Sequence, residues 1–128
     1  MMKKIIAVLA LILMVTPLAS AGLLSEDIRL SRIRLGDYGY VRGDELDTYV
    51  YVYNENSGSS ANDGSVEVRI MDSDVYSSSG SFDLKRNSGE GRNVISDVSG
   101  LAPGEYLVRI SYTSNDIRRV KYRYITVW

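Results

Sequence analysis

Leu101-Ala-Pro-Gly-Glu-Tyr-Leu-Val-Arg-Ile-Ser-Tyr112 is the stretch from which the rest of the chain is read. Pro103 fixes its own φ and Gly104 accepts conformations that other residues avoid, so the pair marks a turn. Directly after it, Tyr106, Val108, Ile110 and Tyr112 alternate with Glu105, Leu107, Arg109 and Ser111. A period of two belongs to a strand with one buried face. A leucine, a Pro-Gly corner and a tyrosine opening an alternating strand is also how two-sheet sandwiches lead the chain from one sheet to the other, in the manner of a tyrosine corner. The expectation is an all-β, two-sheet antiparallel β-sandwich.

Past a polar turn at Ser114-Asn115-Asp116, Val120, Tyr122 and Tyr124 alternate with Arg119, Lys121 and Arg123, which makes a hairpin. Two registers compete. A two-residue loop of Asn115 and Asp116 opposes Ile110 to Lys121 and Val108 to Arg123, setting charge on the core face. A three-residue loop, Ser114 to Asp116, opposes Ile110 to Val120, Val108 to Tyr122 and Tyr106 to Tyr124, and leaves Arg109 and Lys121 outside. The three-residue loop is the expected register.

Residues 1–21 stand apart from this pattern. Lys3 and Lys4 precede an apolar run from Ile5 to Val15, then Pro17 and Ala19-Ser20-Ala21, the layout of a secretory signal peptide cleaved before Gly22. The competing reading is an uncleaved membrane anchor, but the run is shorter than the ~20 apolar residues of a spanning helix. No cysteine lies near the cleavage site, so a lipoprotein anchor is excluded. Residues 22–128 are then one secreted domain, long enough to hide about two-thirds of its unfolded surface. The chain has no cysteine at all, so packing and backbone pairing alone must hold it, and an exported domain without disulfides favours a prokaryotic source. Residues 22–128 carry 13 basic residues (15 less Lys3 and Lys4) against all 16 acidic ones, a net charge of −3. That balance does not suggest a nucleic-acid binder.

About seven strands are expected along the domain. From Ser25 to Leu35 the apolar residues Ile28, Leu30, Ile33 and Leu35 change phase midway, as in a strand broken by a bulge. After a glycine-punctuated connection, Leu46, Thr48, Val50 and Val52 face the core and leave Tyr49, Tyr51 and Tyr53 outside. Asn54 to Gly64 reads as a long, mobile polar loop. Val66, Val68 and Ile70 make the third strand, with Glu67 and Arg69 outward. Asp72 to Ser81 offers only Val75 and Tyr76 to pack. Phe82 and Leu84 point inward from a short strand, Asn87-Ser88-Gly89 turns the chain, and Arg92 to Val98 is a strand whose inward phase stays open between Val94 and Ile95.

Val41-Arg-Gly-Asp-Glu-Leu-Asp-Thr-Tyr-Val-Tyr-Val-Tyr-Asn54, with Leu101-Ala-Pro-Gly-Glu-Tyr106 and the strand from Arg118 to Val127, resembles the immunoglobulin-like CARDB-type modules of prokaryotic, especially archaeal, cell-surface proteins. In those modules a Gly-Asp or Gly-Glu turn launches the second strand and the last strands follow a Pro-Gly corner. The resemblance implies a role in adhesion or in an S-layer. It departs at Asn54 to Gly64, where a compact Asn-Gly turn is replaced.

Histidine and cysteine are both absent, which removes the commonest general base, thiol catalysis and the usual zinc sites. The serines lie in Ser-Gly and Ser-Ser loops without a Gly-x-Ser-x-Gly elbow or a Ser-x-x-Lys pair. No two carboxylates are singled out for glycosidase chemistry. Asp72-Ser73-Asp74 and Asp44-Glu45 offer oxygen ligands for calcium but lack a twelve-residue glycine-turn loop, so solvated acidic turns are preferred. Arg42-Gly43-Asp44 matches an integrin-binding tripeptide, yet its Gly-Asp already serves to start a strand. Neither an enzyme nor a cofactor is expected.

Ten tyrosines against one Phe and one Trp are the informative feature. Tyr49, Tyr51 and Tyr53, with Tyr38 or Tyr40 as possible neighbours, suit a protein contact or a sugar-stacking platform. The plain alternative is cross-strand pairing beneath covering loops. A final strand ending at Trp128 offers self-association if it lies at a sheet edge, with Arg118, Arg119, Lys121 and Arg123 to blunt it. The expected function is that of a secreted, non-enzymatic module of the cell envelope with a protein or glycan partner. A carbohydrate-binding module and an accessory or inhibitor subunit of a secreted enzyme are the alternatives. The membrane enters only through an uncleaved signal peptide.

Overall fold

The computed structural model describes residues 22–115 and 117–128, so the signal peptide expected over residues 1–21 lies outside the described residues. Nine strands run in order: β1 (Ile28–Leu35), β2 (Tyr40–Val41), β3 (Glu45–Asn54), β4 (Ala61–Ile70), β5 (Tyr76–Ser78), β6 (Phe82–Leu84), β7 (Ser88–Asp97), β8 (Gly104–Ser114) and β9 (Ile117–Val127). They form a three-stranded sheet, β1-β3-β7, and a six-stranded sheet, β2-β9-β8-β4-β5 with β6 beside β4. The two sheets bury one core between them, in an immunoglobulin-like β-sandwich. All pairings are antiparallel except that of β2 with the end of β9, which is parallel.

Alternation dictates the core. Leu46, Val50 and Val52 of β3 meet Val66, Val68 and Ile70 of β4 and Val108, Ile110 and Tyr112 of β8, all buried. Each such aliphatic side chain contributes about 1.5–3 kcal/mol by leaving water. The phase change in β1 is a bulge: pairing with β3 shifts between Ser31 and Arg34, and Arg32 takes φ 51°. Val94, Ser96 and Val98 turn inward and Ile95 outward, settling the phase of β7. At the crossing from β7 to β8, the Tyr106 hydroxyl donates to the Ala102 carbonyl at 2.6 Å, closing the tyrosine corner.

The polar loop is shorter than its composition suggests. Ala61 already pairs with Leu84, so only residues 55–60 connect β3 to β4, and Asn62-Asp63-Gly64 lies within β4 at a second irregularity. The loop is tied by side chains. Asn54, buried, donates to Ser59 O at 2.9 Å, and Asn56 Oδ1 accepts from the Gly58 and Ser59 amides. Asn56 Nδ2 and the Leu24 amide also hold the Asp27 carboxyl below the usual carboxylate range. Asp72 to Ser81, which offers little to pack, contains β5, a three-residue strand paired to β4.

The β8–β9 register is the two-residue alternative, not the expected three-residue one. Ser114 pairs with Ile117, Ile110 with Lys121 and Val108 with Arg123. Asn115, at φ 51°, supplies the left-handed residue that a two-residue hairpin loop needs. Charge on the inner face is tolerated because β9 is a rim strand: among the described residues no strand but the short β2 pairs with it on that side. Lys121 and Arg123 are exposed there, at grooves of about 470 and 440 Å³ that border β1. Inward-pointing charges on an open edge oppose pairing with another chain. The end of β9 is covered instead, since the Thr126 and Trp128 amides donate to Gly39 O and Val41 O.

Two expectations follow from this packing. Thr48 is fully buried and its Oγ1 has no partner among the described residues, so Thr48→Val should raise stability in urea unfolding by about 1 kcal/mol; a loss of that size would show that the hydroxyl is satisfied. Lys121→Val with Arg123→Val should shift the protein to dimers or larger species in size-exclusion chromatography, because the rim loses its guard. An unchanged elution volume would rule that guard out.

Candidate contact faces

Tyr49, Tyr51 and Tyr53 stand on the outer face of β3, the central strand of the three-stranded sheet, and all three are half-buried. Two features of their neighbours explain this for Tyr49 and Tyr51. The rings of Tyr49 and Tyr51 lie over Gly91 and Gly89 of β7, so closely that a Cβ on either glycine would collide with them. From β1, the Arg34 guanidinium sits 4.7 Å from the centre of the Tyr49 ring and that of Arg32 4.9 Å from Tyr51. Each ring is thus held between a bare backbone and a cation. Tyr38 is on the turn before β2, and Tyr40 pairs with Thr126 in the other sheet, so neither joins this row.

The more exposed aromatic face belongs to the six-stranded sheet. With the two-residue loop, the outward side chains of β9 are Arg118, Val120, Tyr122, Tyr124 and Thr126, and Trp128 continues the same side. Tyr122 is 51% exposed, Tyr124 65% and Trp128 66%. Tyr40 comes beside Trp128, ring centres 6.0 Å apart, and Arg42 lies 5.2 Å from the Trp128 ring. Across the sheet, Tyr122 pairs with Arg109, Arg109 with Arg69, and Arg69 with Tyr76, itself half exposed. One row thus reads tyrosine, arginine, arginine, tyrosine over four strands. Burial, then the adjacent Glu67, hold the Tyr76 phenol above its ordinary range.

Sequence reasoning passed over this face because the three-residue register had turned Tyr122 and Tyr124 inward. The signal that would have found it is the Asn115-Asp116 pair, a hairpin loop on its own. Among the described residues no three acidic side chains gather as they would around a metal ion; Asp44, Asp72 and Asp74 are exposed in turns, and Glu45 is exposed at the start of β3, opposite Asp97. Arg42-Gly43-Asp44 is the exposed turn between β2 and β3, with Gly43 at φ 99°. Exposed rings interleaved with guanidinium groups equip a surface for stacking and for contact with anions.

No protein-family model and no curated protein sequence matches the chain. Among solved structures it is similar to a beta-glucosidase from Kluyveromyces marxianus, at 18% identity and a TM-score of 0.46, over 79% of this chain and 15% of that one. The complex of that enzyme with glucose gives a TM-score of 0.43 at the same identity and coverage. The yeast GGA1 GAE domain is similar at 12% identity and a TM-score of 0.36, over 79% of this chain and 91% of that one. The chain spans only a small part of the beta-glucosidase.

Proposed function

We propose that the protein is a secreted, non-enzymatic module of the cell envelope that acts in adhesion or surface-layer structure by contact with a protein or glycan. The observation that carries this reading is the group Tyr40, Tyr76, Tyr122, Tyr124 and Trp128, all exposed on one side of the six-stranded sheet. Large rings with polar tips make extensive contacts at low entropic cost, and tyrosine, tryptophan and arginine are the residues that dominate binding surfaces. Exposed aromatic groups clustered in this way usually mark an interaction site. The CARDB-like resemblance and the signal-peptide layout of residues 1–21 supply the setting, a prokaryotic and especially archaeal surface. Tyr49, Tyr51 and Tyr53 form a second, less accessible face on the opposite side.

The test is retention of an envelope component from the producing cell by the immobilised protein. Tyr122→Ser with Tyr124→Ser and Trp128→Ser should reduce retention at least tenfold without changing the far-ultraviolet circular dichroism. Tyr49→Ser with Tyr51→Ser and Tyr53→Ser should reduce it less. Undiminished retention by the first variant would remove the six-stranded sheet from the reading, and failure of the wild-type protein to retain anything would remove the reading itself.

A further inference from the structure

We infer that Arg69 and Arg109, flanked by Tyr76 and Tyr122, form a recognition site for a carboxylate-bearing polysaccharide. The inference rests on the reading of this sheet face as the contact surface and names the ligand class it takes. Arg69 and Arg109 are direct cross-strand partners. Like charges placed opposite each other on one face repel, and a folded protein keeps such a pair only against that cost. No carboxylate stands at ion-pair distance from either arginine: the ion pairs among the described residues are Arg29 with Glu55 and Arg92 with Glu90, both elsewhere. Glu67 is near, on the same face of β4 opposite Ser111, and makes an ion pair with neither arginine. Arg109 Nε is buried without a hydrogen-bond partner, so part of its donor fork is already desolvated.

The surroundings of the pair define the rest of the ligand. Guanidinium forks match carboxylates bidentately. Tyr122 beside Arg109 and Tyr76 beside Arg69 place a ring at each end of the row, which spans about 14 Å at the usual strand spacing. The Arg69 guanidinium lies 5.8 Å from the centre of the Tyr76 ring. Sugar rings stack their apolar faces on such aromatic groups, while acid groups on the same polymer reach the cations between them. A protein partner would use the adjacent guanidinium groups only by setting two carboxylates against them and desolvating all four charges. A hydrated polymer that carries its own carboxylates and hydroxyls avoids that desolvation.

The experiment is titration of the full chain with polygalacturonate and alginate, and in parallel with fully methyl-esterified polygalacturonate and poly-L-glutamate. Binding to an acidic polysaccharide is expected, at least tenfold weaker for the esterified polymer and for Arg69→Gln with Arg109→Gln, and nearly unchanged in Arg118→Gln. Tyr76→Ser with Tyr122→Ser should weaken polysaccharide binding severalfold and leave any poly-L-glutamate binding as it was. The inference falls if neither acidic polysaccharide binds. It falls equally if the double arginine variant binds as the wild type does, or if poly-L-glutamate binds as tightly with the tyrosines irrelevant. Envelope retention that survives Arg69→Gln with Arg109→Gln, in a protein that binds no acidic polysaccharide, would leave the contact reading standing and overturn only this ligand class.

Discussion

The two-residue connection between Ser114 and Ile117 sets which side of the last strand meets solvent. Side chains alternate along a strand, so one residue more in that loop would exchange every inward position of β9 with every outward one. The native register commits Arg119, Lys121 and Arg123 to the rim of the sandwich and Tyr122, Tyr124 and Trp128 to its outer face. Both the open edge and the aromatic surface are consequences of that single local choice.

The rest of the fold is arranged so that this choice is affordable. The three-stranded sheet is narrower than its partner, and β1 carries a bulge at Ser31 to Arg34; of the inward cations of β9, Lys121 and Arg123 stay exposed to solvent and Arg119 is half-buried. Without disulfides, the chain relies on a continuous aliphatic core and a few side-chain ties to backbone. The Tyr106 hydroxyl fixes the crossing between sheets, Asn54 and Asn56 order the loop after β3, and Ser114 Oγ donates to Asn62 O across the end of β8. Glycines serve a related purpose at Gly64, where the Tyr112 ring fills the space a Cβ would occupy, and at Gly89 and Gly91 beneath the tyrosine row.

Much of this was legible in the residues. Leu46, Val50 and Val52 alternate with tyrosines, and Val66, Val68 and Ile70 with Glu67 and Arg69, because each strand has one wet face, and the sandwich follows from that periodicity. The phase change in Ile28, Leu30, Ile33 and Leu35 announced the bulge in β1. What escaped was register. Hydrophobic pattern argues for placing Val120 and Tyr122 opposite the core, and it is a sound argument for a strand covered on both sides. It fails for a rim strand, where charged inward residues protect the edge and the loop chooses the pairing. β2 and β5 escaped for a different reason: two or three residues carry too little periodicity to be read, and both are held by longer neighbours. The early start of β4 at Ala61 was hidden by Asn, Asp and Gly, residues that usually mark loops and here accommodate an irregular edge pairing with β6.

On the proposed function, the outer face of the six-stranded sheet is the surface through which this protein makes its contacts. Amide chemical-shift mapping during titration of the isotopically labelled chain with a solubilised envelope fraction tests it most directly. Perturbations are expected to concentrate at Arg69, Arg109, Tyr122, Tyr124 and Trp128, with β3 and β7 unmoved. Shifts concentrated instead at Tyr49, Tyr51, Tyr53 and their β7 neighbours, with β9 silent, would contradict it.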